Sequence, residues 1–236
     1  MYIVFLIILV IIFVLVPIID ALGILDRIAN SKDDAKKARC KDYYVIIAFV
    51  WGMVTPVLIM CIIGGISLAS VGFRLINFEH NVWFTAITIT LAFALFVYEF
   101  VLPLVRIKKI REAIKNDDKE DFDEYPQTSK EKLLYSLQTL SFAICEETVY
   151  RGFLLFLLYA IFPEISIFLI GLIAFVAFGI GHLYQGLRNA VEIGLFGVLS
   201  MCLLIVTGSL IPSILLHFFC DFTAIFVVNK EHNNQT

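Results

Sequence analysis

Long apolar runs separated by short polar interruptions fill this chain, and a helix that crosses the hydrocarbon core of a bilayer needs about 20 mostly apolar residues. By that measure the sequence predicts seven spanning helices, near residues 2–22, 43–66, 82–104, 133–161, 165–183, 189–206 and 209–228. The expected fold class is therefore all-α, a polytopic helical membrane bundle of about seven transmembrane helices. No internal repeat and no low-complexity tract interrupts the pattern.

Two longer polar connections carry most of the positive charge. Residues 26–42 hold six basic side chains (Arg27, Lys32, Lys36, Lys37, Arg39, Lys41) and residues 105–132 hold eight (Arg106, Lys108, Lys109, Arg111, Lys115, Lys119, Lys130, Lys132), together 14 of the 18 in the chain. Basic loops stay in the cytoplasm. With two spans between them, both loops reach the cytoplasm only if the N-terminus lies outside, which puts the C-terminal tail inside. The stretch KNDDKEDFDEYPQTSKEK, of mixed charge and with one proline, reads as a solvated linker followed by the start of a helix. Residues 1–129 are thus expected to form an N-terminal support region and residues 130–236 a chemically active four-helix region, the two making one integrated membrane domain.

Composition sharpens this picture. Hydrophobic residues make up 60% of the 236 and mean hydropathy is +0.91, far above the 45–50% apolar content of an average soluble domain. A soluble fold is excluded on that ground. A net charge of -3 with localised basic residues gives no footprint for nucleic acid. The expected partners on this ground are membrane lipids. Cys40, Cys61, Cys145, Cys202 and Cys220 are odd in number, scattered and never spaced as C-x-x-C, so they suggest neither disulfides nor a zinc knuckle. The opening MYIVFLIILVIIFVLVPII has no basic leader and no small-residue cleavage site, and reads as a retained span. Abundant Ile, Phe and Lys suit a bacterial cell membrane.

Against this background the charges inside apolar runs stand out. The segment ICEETVYRGF sets Glu146, Glu147 and Arg151 well inside the fourth span, and HFFCD sets His217 and Asp221 in the seventh. An ionised residue at the centre of a span opposes insertion by about 2.5–3.5 kcal/mol, so Glu146, Glu147, Arg151 and Asp221 together would cost about 10–14 kcal/mol if unpaired. That rivals the whole stability of a domain, about 5–15 kcal/mol. Pairing or a water-filled cavity must relieve it. Glu147 and Arg151, four apart, share one helical face and are expected to pair, while Glu146 is turned about 100° away toward a cavity. A buried ion-pair cluster with a purely structural role would use the same three residues.

Two histidines move the balance toward chemistry. FGIGH ends the fifth span at His182, and His217 lies one turn before Asp221, where the acid is expected to hold the tautomer and orientation of the imidazole. A Glu, a His and a His–Asp pair from three helices suit activation of a water and stabilisation of an oxyanion.

In their order and on consecutive apolar segments, EETVYR resembles the E-E-x-x-x-R motif, FGIGH the F-x-x-x-H motif and HFFCD the H-x-x-x-[ND] motif of the CPBP intramembrane proteases. That family unites CAAX prenyl proteases, which remove the last three residues of CAAX tails, with bacteriocin-processing enzymes. The resemblance covers roughly residues 130 to 228. It implies hydrolysis of a peptide or lipid-modified protein substrate near the cytoplasmic side, with Glu146 as base and His182 binding or polarising the water. Glu147, Arg151, His217 and Asp221 complete the implied catalytic set. One form of the implied mechanism uses one divalent metal ion such as zinc, with Glu146, His182 and His217 as ligands and one position open to water. The other uses the carboxylate without metal, the third motif forming an oxyanion hole. Asp221 departs from the amide-bearing version of that motif, because an ionised carboxylate only accepts hydrogen bonds. Orienting His217 or ligating a metal is its simpler role.

Depth is the one point of friction. Glu146 and His182 each lie about 16 residues, at about 1.5 Å per residue, from the outer ends of their spans and meet in the inner half. His217 is only about eight residues into its span, too far outward unless Thr207-Gly208-Ser209 and Pro212 form a connection that dips into the bundle, where irregular backbone must face protein or water. Among the other intramembrane acids, Glu192 is expected to add a ligand or a polar access path and Glu99 to snorkel to the interface. Cys145 and Cys220 flank the motifs, but nothing around them predicts a thiolate. The sequence thus favours an intramembrane endopeptidase. Its alternatives are a non-catalytic scaffold or regulator, including one for bacteriocin self-immunity, and, last, a proton or ion carrier, for which a transporter repeat is missing.

Overall fold

The structure, a computed structural model, describes residues 1–21, 35–78, 81–109, 112 and 126–226, with the side chains of 14–21, 35–38 and 224 excepted. Arg27, Lys32, Arg111, Lys115 and Lys119, which entered the loop argument, lie outside the described residues. Among the described residues the architecture is entirely helical. We number the helices α1 Tyr2–Ala21, α2 Ala35–Gly64, α3 Val82–Val105, α4 from Ser129 to Ile161, α5 Ile167–Gly181, α6 Leu187–Thr207 and α7 Ile211–Phe222. Each of the seven predicted apolar runs is one of these helices.

Their lengths differ from the prediction in an informative way. Three tracts are long and apolar enough to cross a membrane, Arg39–Gly64, Val82–Val105 and Leu187–Thr207. α5 has 15 residues and α7 has 12, about 22 and 18 Å at 1.5 Å per residue, short of a hydrocarbon core about 30 Å thick. Both are cut short at the polar site described below. Outward-facing apolar side chains such as Ile62, Trp83 and Phe168, 80%, 74% and 87% exposed, give the bundle a surface suited to lipid rather than water.

α4 is the central element. Thr128 starts it with a reciprocal capping box, accepting from the Glu131 N–H while the Glu131 carboxylate accepts from the Thr128 N–H. α2 lies along it. Arg39 Nε donates to Glu131 at 3.1 Å, the Tyr43 and Tyr135 rings meet edge to face at 6.0 Å, and Trp51 Nε1 donates to Ser141 at 3.2 Å. The paired numbers rise together, so α2 and α4 run parallel, and the ends of the two basic connections sit side by side. The main apolar core fills the space between α1, α2 and the second half of α4, with Leu9, Val50, Val57, Phe153 and Leu157 fully buried.

α5 and α6 form the tightest pair. A Cβ at Gly179 would stand 2.9 Å from the Ala190 carbonyl oxygen, and one at Gly197 would stand 3.2 Å from that of Ala174. Only small residues allow backbones this close.

The connection between α6 and α7 resolves the depth of His217. Thr207, Ser209 and Leu210 are buried, and Gly208 takes the left-handed conformation, φ +61°, that reverses the chain. Irregular backbone inside a bundle needs partners, and the segment 72–77 supplies them. Arg74 Nε donates to the Gly208 carbonyl, the Asn77 N–H to Thr207, the Leu210 N–H to Gly72, and Ser209 Oγ to the Arg74 carbonyl. α7 therefore starts within the bundle, and His217, seven positions after Leu210, reaches the level of Glu146.

Candidate active site

The polar centre grows from an irregularity in α4. Between Glu147 and Phe153 the helix widens into a π-helical turn, a form in which N–H groups bond to carbonyls five residues back and which clusters at functional sites. All seven residues of the turn are buried, as is Glu146 just before it. An α-helical reading puts adjacent glutamates on different faces. Here both are buried, Glu147 within protein and Glu146 against the cavity described below.

Glu147 is fully enclosed and saturated. Its carboxylate accepts from Ser200 Oγ at 2.5 Å and His217 Nδ1–H at 3.0 Å, and it pairs with Arg151 Nε at 3.3 Å. The expected Glu147–Arg151 pair is thus present, within a larger network. Arg151 is 1% exposed, and its guanidinium lies 3.8 Å over the Phe178 ring. Its terminal nitrogens have no hydrogen-bond partner, so the ring face and Glu147 compensate its charge.

His217 sits at the junction of three carboxylates. Besides its bond to Glu147, its Nε2 is 3.4 Å from Asp221 and 3.9 Å from Glu146. Asp221 stands against this imidazole as expected, and Glu147 is a second carboxylate that holds it. Nδ1 is held by buried Glu147, while Asp221, its side chain 45% exposed, approaches the other nitrogen from the cavity. Because both carboxylates only accept, the arrangement fits an imidazolium with an N–H on each side. His182 caps the end of α5. Its Nδ1–H donates to the Phe178 carbonyl at 2.9 Å, which fixes the tautomer and leaves Nε2 as an acceptor. Phe178 is a common wall, its ring 4.7 Å from that of His182 and 6.2 Å from that of His217.

Glu146, His182, His217 and Asp221 all line one cavity of about 1150 Å³. Three helices far apart in sequence bring them together. Glu147 and Arg151 lie behind this wall and hold it. The cavity is polar at the end nearest Gln185, Arg188 and Glu192. It continues as an apolar arm between Phe84, Ile87 and Leu91 of α3 and Leu195, Val198 and Leu199 of α6. Glu99 also lines it, in a second π-helical turn, Val97–Val101. It therefore faces the cavity rather than snorkelling to the interface as the sequence suggested, since the extra residue of the turn rotates it inward. Glu192 borders the opening and pairs with Arg188 at 3.0 Å. Of the flanking thiols, Cys145 is buried in the apolar core and Cys220 borders the cavity.

A catalytic zinc needs three converging protein ligands at about 2.0–2.2 Å. Among the described residues no three His, Cys, Asp or Glu side chains form such a group. Glu146, His182 and His217 share the cavity without closing to that geometry. As arranged they do not fit a metal, and no step below passes through one.

Residues 129–223 match the family described as Type II CAAX prenyl endopeptidase Rce1-like. Over that segment the chain is similar to this family. Comparison with curated proteins and with solved structures gave no match. The matched segment starts at the first residue of α4 and ends one residue beyond α7, so it contains the whole polar centre. The match supports an intramembrane protease at the level of the family, and the long apolar helices support an integral membrane protein. Ser200 and Phe196, which touch Glu147 and His217 respectively, are the contributors that sequence reasoning missed. Neither a lone serine nor a phenylalanine in an apolar helix carries a signal that could have found them.

Proposed function

We propose that this protein is an endopeptidase that hydrolyses a peptide bond near the end of a membrane-associated, lipid-modified substrate, with Glu146 and His182 activating the water. The observation that carries this reading is the convergence of Glu146, His182 and His217 on a single cavity. A water between Glu146 and the Nε2 acceptor of His182 has a partner for each of its hydrogens, and its oxygen lone pair is left for a carbonyl carbon. As that oxygen attacks, Glu146 takes the proton, and charge develops on the carbonyl oxygen. The Nε2–H of His217 meets it, backed by the Glu147 carboxylate on the opposite nitrogen. Collapse breaks the C–N bond, and Glu146 returns the proton to the leaving amine. Asp221 holds Nε2 until the substrate displaces it.

The apolar arm suits a hydrocarbon chain attached beside the scissile bond. From Phe84 to Leu95 of α3 it runs eleven residues, about 16 Å. The family match makes a prenyl group the natural occupant. With its N-terminus outside and C-terminus in the cytoplasm, the protein would open the polar end of the cavity toward cytoplasmic tails.

The test uses purified full-length protein in liposomes with a prenylated peptide. Glu146→Gln is expected to lose about 10²- to 10⁴-fold in rate, the usual share of a general base, with unchanged thermal stability. Wild-type rates in that variant, or no cleavage by the wild type across prenylated and unprenylated tails, would favour a binding scaffold instead.

A further inference from the structure

The polar end of the cavity contains one arginine among several acids. Arg188 lines it together with Glu99, Glu192 and Asp221, and among the described lining residues there is no other arginine and no lysine. Arg188 belongs to the first turn of α6, and its side chain is 89% exposed toward the opening. Glu192 engages Nε at 3.0 Å, which leaves the two terminal nitrogens as a fork. Such a fork matches a carboxylate with two hydrogen bonds. Gln185, three residues earlier, lines the same end.

Position along α6 gives the fork a register. Phe196 packs its ring against that of His217, centroids 5.2 Å apart, and marks the level of the reacting groups. Arg188 is eight residues before Phe196, about 12 Å along the axis. An extended peptide covers about 3.3–3.6 Å per residue, so about three to four residues fit between the two levels. A terminal carboxylate entering this end is repelled by Glu99, Glu192 and Asp221 and attracted by Arg188. It has one favourable seat.

Building on the function proposed above, we propose that Arg188 is a specificity-determining residue that binds the free C-terminal carboxylate of the substrate and thereby sets the cut three to four residues from the chain end. The enzyme would then measure from the terminus, with the hydrocarbon arm holding the other side of the scissile bond. Internal peptide bonds of longer segments would lack the anchor.

The experiment compares two prenylated peptides that differ only at the terminus, one a free carboxylate and one a carboxamide, using full-length protein in liposomes and mass spectrometry of the products. The wild type is expected to favour the carboxylate by about ten- to a hundredfold in kcat/KM, the effect of a hydrogen bond to a charged group. Arg188→Gln is expected to bring that ratio near one, and Arg188→Lys to give an intermediate ratio. A tail two residues longer should be a poor substrate for the wild type and suffer no further penalty in Arg188→Gln. A wild type that cuts both termini equally, or an Arg188→Gln variant that keeps the full preference, would overturn the assignment while leaving the hydrolase reading intact. Failure of the wild type to cut either peptide would remove both.

Discussion

Glu147 is the residue on which the others depend. It is fully buried, accepts from Ser200 and His217, and pairs with Arg151. Removing one partner of a buried pair leaves an uncompensated charge and costs about 3–5 kcal/mol, so Glu147→Ala should lower unfolding free energy by that order and also lose activity. Ser200→Ala deletes one charge-assisted bond and should cost about 1.5–3 kcal/mol. Unfolding of purified variants in detergent checks both. Stability equal to wild type in Glu147→Ala would mean that Arg151 finds another partner. That the six candidate residues would come together was legible in the sequence, because ionisable groups in apolar runs have no cheap structural reason to be there. Their division of labour was not. Which carboxylate holds Nδ1 of His217 depends on how α7 is rotated against α4, and no spacing within either helix records that.

A second carboxylate acts outside the membrane-spanning part. Glu131, at the start of α4, is raised by burial. The N–H groups of Thr128 and Gln127, together with Arg39, outweigh this and hold its carboxyl below the ordinary range. For an acid with a lowered folded pKa, the stabilisation is complete above its unfolded value, about 4.3. It is lost as pH falls through the folded value. The tie between α2 and α4 should therefore weaken below about pH 4, and Glu131→Gln should remove that part of the acid dependence. Thermal melts from neutral to acid pH would reveal it as a shallower slope in the variant, and parallel slopes would contradict it.

At the scale of elements, hydrophobic periodicity located all seven helices but not their defects. The two π-helical turns, Val97–Val101 and Glu147–Phe153, are invisible to a 3.6-residue pattern because the extra residue is accommodated without any break in hydrophobicity. Yet these turns bring Glu99 to the cavity and bury Glu146 and Glu147 together. The glycine contacts of α5 and α6 are likewise tertiary facts. Gly179→Ala would push a methyl group to 2.9 Å from the Ala190 carbonyl oxygen, a backbone atom that cannot rotate away. The two helices would have to separate, at about 1–3 kcal/mol as for overpacking elsewhere. Because His182 is three residues further on α5's exit, cleavage should fall along with the melting temperature. An alanine variant with wild-type melting and activity would show that the pair yields more easily than its packing suggests.

The whole molecule bears on whether the matched family segment stands alone. The sequence separates a support region, residues 1–129, from an active region, and the family match covers only the latter. Besides the α2–α4 contacts described above, the two regions meet at three further places. Phe13 of α1 stacks on Tyr150 of the π-helical turn at 4.4 Å. Gly152 in the same turn packs so closely on the Val71 carbonyl that no side chain would fit between them. Gly72, Arg74 and Asn77 satisfy the buried backbone of the turn that launches α7, and without them its polar groups would face an apolar interior at a cost of about 1–3 kcal/mol each. The depth of His217 is therefore supplied by residues more than 130 positions earlier in the chain, which explains why the span lengths alone misplaced it. A fragment comprising residues 126–236 is accordingly expected to insert without forming a competent site, and co-expression with a fragment comprising residues 1–109 to restore cleavage by reassembling the bundle. Full activity of the shorter fragment by itself would show that the support region is dispensable, and that α7 finds its depth from its own side chains.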